Sequence, residues 1–237
     1  MQTLDLDYTA DGTSLRGLLA FSEGAGQRPG MLVFHEGLGL GDFAMEKARQ
    51  LASPGYVALA ADMFGERRQA RNLQEVATLV GGLRAEPERL RARAQAALAA
   101  LAGLPQVDRG RLAAIGFCFG GSVVLELARS GADLKAVVSF HGVLATKLPA
   151  AEGQVKASVL VLTGAEDPLA PPDQVMAFED EMRAAKVADW QVVSYGNTLH
   201  GFANPAADGS MMRTAIYHPQ SDRRSWAAMK MFFDEVL

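Results

Sequence analysis

Short apolar runs alternate with helical spacing along most of this chain. Thr3 to Tyr8 alternates, with Leu4, Leu6 and Tyr8 on one side, and Leu15 to Phe21 returns after the pair Asp11-Gly12. Alternation on both sides of a tight turn predicts a β-hairpin. A Gly-rich loop, expected over Glu23 to Gly30, then leads into Met31-Leu32-Val33-Phe34, apolar at every position. A strand covered on both faces loses its alternation in this way, so the run predicts a central parallel strand. Further strands are expected at 56–61, 112–117, 135–140, 158–163 and 190–195.

Between the strands, apolar residues recur at helical spacing. This predicts helices over 44–52, over 72–104 in two pieces broken near Pro87, and over 171–185 with prolines at its start. A terminal helix is expected over 221–237, with Trp226, Met229, Phe232 and Phe233 as its buried stripe. The stretch RLRARAQAALAALAG reads as strong helix formers with a solvated face. Strands alternating with helices after an opening hairpin imply an α/β class fold: a mostly parallel sheet with helices on both faces. No repeat or linker divides the chain, which is read as a single domain over 1–237.

One stretch departs from simple periodicity. The apolar run Leu112–Phe117 passes into a helical pattern through Gly116-Phe117-Cys118-Phe119-Gly120-Gly121. This is the G-x-S-x-G nucleophile elbow with cysteine in place of serine. The sharp strand-to-helix turn brings the positions two before and two after the nucleophile together, and a Cβ on either would clash. It also sets the sulfur at a helix N-terminus, where backbone N–H groups and the helix dipole favour a thiolate. The competing reading is that Cys118 is only a small buried hydrophobe.

Composition narrows the function. At 237 residues and 49% hydrophobic the chain can bury a full core, and its net charge of −4 comes from mixed signs. Nucleic acid and anionic membrane are therefore poor candidates for a partner. A lone cysteine excludes an intramolecular disulfide framework and fits a reducing compartment. The acidic N-terminus lacks the pattern of a signal peptide, and no apolar run is long enough to span a bilayer; a cytoplasmic protein is expected. The four histidines lack metal-ligand spacing, so neither a metal nor another cofactor is expected.

The remaining candidates follow strands, where the ligands of parallel sheets gather. Glu36, Cys118, His141, Asp167 and His200 each fall just after one. The order Cys118, Asp167, His200 is the nucleophile–acid–histidine order of α/β-hydrolases. A thiol needs a base, and an imidazole needs a carboxylate to fix its tautomer and stabilise its charge. The N–H groups of Phe119 and Gly37 are candidates for the oxyanion hole. Asp167 before Pro168 also fits a simple turn, and His200 a polar loop residue. His141 is read as lining the substrate pocket, and His35 and His218 as structural.

The cysteine elbow, together with MLVFHEGLGL, AADMFG, LTGAEDPLAPP and LHGFANP, resembles the dienelactone hydrolase family over roughly Leu15 to Leu237. The resemblance implies the α/β-hydrolase fold and a Cys118–His200–Asp167 triad. It also implies that Glu36 is a further carboxylate contacting the cysteine, and that Gly37 and Phe119 are the oxyanion donors. The best-studied dienelactone hydrolases carry an arginine soon after the catalytic histidine that holds the substrate's carboxylate. Here the run is His200-Gly201-Phe202-Ala203-Asn204, and Phe202 and Asn204 are candidate pocket residues. Arg67, Arg68, Arg71 and Arg213 are the other arginines considered for that charge. The expected activity is hydrolysis of a small-molecule lactone or activated ester through an S-acyl enzyme. The alternatives are a thioesterase or general carboxylesterase, and a non-catalytic, redox-sensing thiol protein. Oligomeric state is not specified by any of these features.

Overall fold

The computed structural model describes residues 1–24 and 26–237. The expected hairpin forms from β1 (Gln2–Ala10) and β2 (Thr13–Phe21), turning on Asp11 and Gly12 with φ of 46° and 74°. Its apolar side closes gradually: Leu4 is exposed, Leu6 half-buried, and Tyr8 buried with its hydroxyl donating to the Asp62 carbonyl at 2.7 Å. The next strand, β3 (Arg28–Phe34), begins inside the segment expected to be loop, and Ala25 of that segment lies outside the described residues. Arg28 and Pro29 extend the strand because they pair with Val107 and Asp108 of the neighbouring strand, a contact that local sequence does not reveal.

The other strands are β4 (Val57–Ala61), β5 (Val107–Phe117), β6 (Ala136–Phe140), β7 (Ser158–Gly164) and β8 (Trp190–Tyr195). They form one eight-stranded sheet in the order β1-β2-β4-β3-β5-β6-β7-β8. Pairing is antiparallel from β1 through β2 to β4 and parallel for all the rest. This is the α/β-hydrolase fold with its N-terminal antiparallel hairpin. From β3 the chain steps outward to β4 and then returns to the other side of β3 as β5. The order therefore reverses between β3 and β5, and a crevice opens beyond their carboxyl ends.

The pleat divides the core into two layers. Leu32 and Phe34 of β3 face the layer built by α3 (Pro87–Ala102), α4 (Phe119–Arg129) and α5 (Pro172–Ala184). Met31 and Val33 face the opposite layer, built by α1 (Asp42–Ala52) and α6 (Pro219–Val236). In α6, Met229, Phe232 and Phe233 are buried as expected, while Trp226 is half-buried. The break at Pro87 separates α2 (Leu73–Ala85) from α3, with proline in the first turn of the second helix.

Two helices are more enclosed than their sequences suggested. In α3 the face carrying Leu90, Ala94, Ala97 and Leu101 packs in the core, and Arg93 is buried with them, bound to the Met63 carbonyl, Thr13 and Asp11. Every residue of α4 is buried. Its outward side is covered by α3 and by a network in which Glu126 pairs with Arg91 and Arg129, and Arg129 pairs with Glu181 of α5. Among the described residues, no helix is long and apolar enough to cross a membrane.

Candidate active site

The site lies at the sheet's order reversal and starts from glycine geometry at the end of β5. A Cβ on Gly116 would sit 2.0 Å from the Gly120 carbonyl oxygen, and one on Gly120 would sit 2.2 Å from the Phe34 carbonyl oxygen. Only glycine permits backbone to approach backbone so closely, so these residues let β5 turn into α4 against the end of β3. Cys118, at the apex, is held at φ 53° and ψ −112°, a conformation that is strained for any side chain bearing a Cβ. Its N–H donates to the Phe140 carbonyl at 3.0 Å and to Nδ1 of His141 at 3.1 Å. These bonds anchor the turn to the end of β6 and leave the thiol half-buried at the start of a helix.

Asp167 and His200 reach this point from the ends of β7 and β8. Oδ1 of Asp167 accepts from the Leu169 N–H at 2.8 Å, and Oδ2 meets Nδ1 of His200 at 2.8 Å. One carboxylate thus serves both readings made from its sequence: it forms the turn and it orients the histidine. The His200 loop is brought down by Gly164, where a Cβ would lie 2.2 Å from the Thr198 carbonyl oxygen. With Nδ1 committed to Asp167, Nε2 is buried without a hydrogen-bond partner of good geometry. The nearby thiol acts on it electrostatically. Burial opposes the imidazolium, but negative charge on Cys118 and the bond to Asp167 outweigh it and raise the His200 pKa to about 10.

His141 and Phe202, expected to line the pocket, are instead fully buried. His141 has φ 39°, turning its ring inward to meet His200 at 5.1 Å and Phe202 at 5.0 Å between centroids. Nδ1 accepts from Cys118, and burial, followed by the field of His200, lowers its pKa well below the ordinary value. A neutral ring, with its proton on Nε2, therefore backs the site and presents no surface to a substrate.

His35 is structural and its tautomer follows from its partners. Nε2 accepts from the Met63 N–H at 3.2 Å, so the proton is on Nδ1, which donates to the Glu36 carbonyl at 2.6 Å. This pins the loop after β3. Gly37 in that loop is packed against α2, where an added Cβ would meet Val76 at 3.0 Å. The N–H groups of Gly37 and Phe119 have no acceptor among the described residues.

Glu36 differs from the arrangement implied by family resemblance. Its Oε2 accepts a 2.6 Å bond from the Asn204 side-chain amide, and no hydrogen bond to Cys118 is formed among the described residues. The residue as a whole is half-buried. Burial raises its pKa, against the Asn204 bond and the fields of His200 and Lys47. His218, the other structural histidine, caps α6 by accepting from the Ser221 N–H.

The arginines suggested for a substrate carboxylate are placed elsewhere. Arg67 is spent on Asp5 and on the Arg16 and Gly17 carbonyls. Arg71 is exposed and pairs with Glu75, and Arg68 and Arg213 are exposed. Two cations not singled out from sequence lie closer to the site. Lys47 of α1 is buried against Trp226, Phe43 and Phe117, with Nζ 4.5 Å from the nearest ring centre, that of Trp226. A lysine between Ala44, Ala48 and Leu51 on an apolar stripe was a readable signal of burial. Arg84, half-buried, donates to Ser122 Oγ at 3.1 Å and lies within the field of Cys118. Nothing local distinguished it among the many arginines of α2 and α3. Among the described residues, no group of three or more His, Cys, Asp or Glu side chains is arranged to hold a metal ion.

Comparison with known proteins agrees with this architecture. The sequence model described as the dienelactone hydrolase family matches residues 15–237. The solved structure named m3DLH is 45% identical, with a TM-score of 0.95 over 100% of this chain and 98% of its own. A dienelactone hydrolase-like promiscuous phosphotriesterase, P91, from metagenomic libraries is 43% identical, with a TM-score of 0.93 over 99% of this chain and 98% of its own. The uncharacterized protein K02A2.1 of Caenorhabditis elegans is 36% identical over 151 residues, which is 62% of this chain and 94% of that protein.

Proposed function

Because the chain belongs to the dienelactone hydrolase family, we propose that it hydrolyses a lactone or activated ester through a Cys118–His200–Asp167 triad and an S-acyl intermediate. The observation that carries this reading is the 2.8 Å His200–Asp167 bond, which leaves Nε2 of the same ring facing the strained cysteine without a partner.

In this reading the resting pair is a thiolate beside an imidazolium, each charge supporting the other. The thiolate attacks the carbonyl carbon, and the Phe119 and Gly37 N–H groups receive the negative charge that develops on oxygen. The C–O bond to the leaving group breaks as His200 Nε2 protonates that oxygen, leaving Cys118 acylated and the imidazole neutral. The neutral imidazole then takes a proton from water, whose oxygen attacks the thioester. Collapse releases the carboxylic acid and restores the thiolate beside the imidazolium. Asp167 holds the ring throughout and stabilises its charge.

A thiolate is a better leaving group than an alkoxide or an amide nitrogen, so attack on alkyl esters and amides mostly reverses. Enol lactones, aryl esters and thioesters commit forward. Hydrolysis of phosphotriesters is a second reading, motivated by the 43% identity to P91; attack at phosphorus would form an S-phosphoryl enzyme instead.

Iodoacetamide tests the nucleophile directly, since Cys118 is the sole cysteine. Loss of aryl-ester and enol-lactone hydrolysis in proportion to labelling is expected. Full activity in stoichiometrically labelled protein would overturn the triad. Absence of turnover on lactones, aryl esters, thioesters and phosphotriesters, with ready reversible oxidation of Cys118, would favour a redox role.

A further inference from the structure

His141 is fully buried and moves no proton in the proposed hydrolysis, yet it carries two costs. Its φ of 39° lies in the left-handed region, which a residue bearing a Cβ enters only under constraint. Its Nε2 is buried with no hydrogen-bond partner among the described residues, and a buried donor left unpaired has given up water without replacement. Both costs serve a single contact. The ring turns inward so that Nδ1 accepts from the Cys118 N–H at 3.1 Å, which the Phe140 carbonyl also receives at 3.0 Å. Backbone strain and an unpaired polar group concentrated on one residue, in contact with the nucleophile's own peptide, point to a role in the site.

The frame behind the ring is rigid. The His141 N–H donates to the Leu162 carbonyl at 2.8 Å, which fixes the end of β6 to β7. A Cβ on Gly142 would lie 2.7 Å from the Gly121 carbonyl carbon, so the chain after His141 packs backbone to backbone on the first turn of α4. The ring itself is wedged edge-to-face against His200 and Phe202, with centroids 5.1 and 5.0 Å away. Only a neutral ring can hold the Cys118 N–H, because a protonated Nδ1 would be a donor. Burial keeps the ring neutral, and the positive charges that face it, on His200 and on Lys47, act in the same direction. Asp167 lies beyond His200, bonded to that ring's Nδ1.

We infer that His141 is a positioning residue: its Nδ1 fixes the Cys118 peptide at the apex of the elbow and so holds the sulfur within the field of His200. The inference rests on the pairing of Cys118 with His200 and adds the side chain that sets how they meet. Gly116 and Gly120 permit the turn, but they do not choose the direction of the side chain at its apex. A peptide held from the end of β6 on one side and continued into α4 on the other has one orientation for its Cα–Cβ bond.

The test compares His141→Asn, whose Oδ1 can take the place of Nδ1 and which tolerates positive φ, with His141→Leu, of similar size and without an acceptor. In aryl-ester hydrolysis His141→Leu should lower kcat at least about tenfold with KM changed less than about threefold, while His141→Asn retains most of kcat. The second readout is the His200 titration, with its midpoint at about 10 in the wild type, followed by NMR of the imidazole nitrogens. His141→Leu should lower that midpoint by roughly one unit or more. In a Cys118→Ala background it should produce no further shift, because the effect runs through the sulfur. An unchanged midpoint, a shift that persists without the sulfur, or equal loss of kcat in both variants overturns the inference. If His141→Leu does not fold, His141→Gly, which takes the same φ without strain and offers no acceptor, should show the same losses, and wild-type behaviour in it overturns the inference. If the wild type hydrolyses no ester, the nucleophile reading fails and the titrations alone decide the positioning role. A wild-type midpoint near the ordinary 6.5 overturns that role whatever the turnover.

Discussion

The side-chain amide of Asn204 donates a 2.6 Å hydrogen bond to Oε2 of Glu36, a residue 168 positions earlier in the chain. The bond ties the loop after β8 to the loop after β3, and so ties the histidine's loop to the one carrying Gly37. Burial raises the Glu36 pKa, and the Asn204 bond is the largest influence opposing it. Asn204→Leu should therefore raise that pKa further. If turnover needs the ionised carboxylate, the acid limb of the kcat/KM profile moves to higher pH. A hydrogen bond to a charged group contributes about 1.5–3 kcal/mol, so the loss near the limb should lie between roughly tenfold and a hundredfold. An acid limb that stays in place would separate Glu36 ionisation from catalysis.

His200 should remain an imidazolium far above the ordinary histidine range. Its pKa is raised from 6.5 to about 10, against burial, by charge on Cys118 and by Asp167. The stabilisation gained from this protonation is complete below about pH 6.5 and is lost as pH rises through about 10. NMR of the imidazole nitrogens should follow the transition, and Cys118→Ala should move it to lower pH by removing the sulfur's field. A wild-type ring titrating near 6.5 would contradict the ion pair.

The elbow glycines and the helix glycines should respond oppositely to alanine. At Gly120 a Cβ would meet the Phe34 carbonyl oxygen at 2.2 Å, backbone that cannot move without unpairing β3. Gly120→Ala should cost more than about 4 kcal/mol, seen as failure to fold or a Tm fall of roughly 8 °C or more. Gly81, on the exposed side of α2, has nothing within 4 Å of its would-be Cβ. Gly81→Ala should stabilise by about 0.5–1 kcal/mol through helix propensity alone. Calorimetry of the two variants checks both signs.

Arg129 is buried between two carboxylates, 2.7 Å from Glu181 and 3.1 Å from Glu126, with a further bond to the Leu144 carbonyl. Arg129→Met should destabilise by about 3–5 kcal/mol, because Glu181 is left without its cation. Adding Glu181→Leu should recover a large part of that loss, since an apolar pair avoids the desolvation cost of both ions. Urea denaturation of the single and double variants reads the difference, and a double variant less stable than the single would refute this account.

Much of the architecture was legible because it is encoded locally. Period-two and fully apolar runs marked every strand, Pro87 marked the break between α2 and α3, and Gly116 and Gly120 marked a turn only glycine can make. The order Cys118, Asp167, His200 could be read because each residue follows a strand end, and parallel strands bring their carboxyl ends to one edge. Burial all round α4 was not legible. Its enclosure depends on Glu126 and Arg129 finding Arg91 and Glu181, and single polar residues on a helix look the same whether they meet water or an ion pair.

The sequence alone determined which elements form, in what order, and which residues stand at the sheet's functional edge, since backbone preference and hydrophobic periodicity act over a few neighbouring residues. Tertiary structure decided what those residues touch. It bonded Glu36 to Asn204, turned His141 inward at φ 39°, buried Phe202, and set Arg84 rather than Arg67, Arg68, Arg71 or Arg213 beside the nucleophile's helix. Each of these rests on a side-chain direction across contacts tens of residues or more apart in sequence. Such directions are set by how the layers pack on the sheet, a constraint that exists only once the chain has folded.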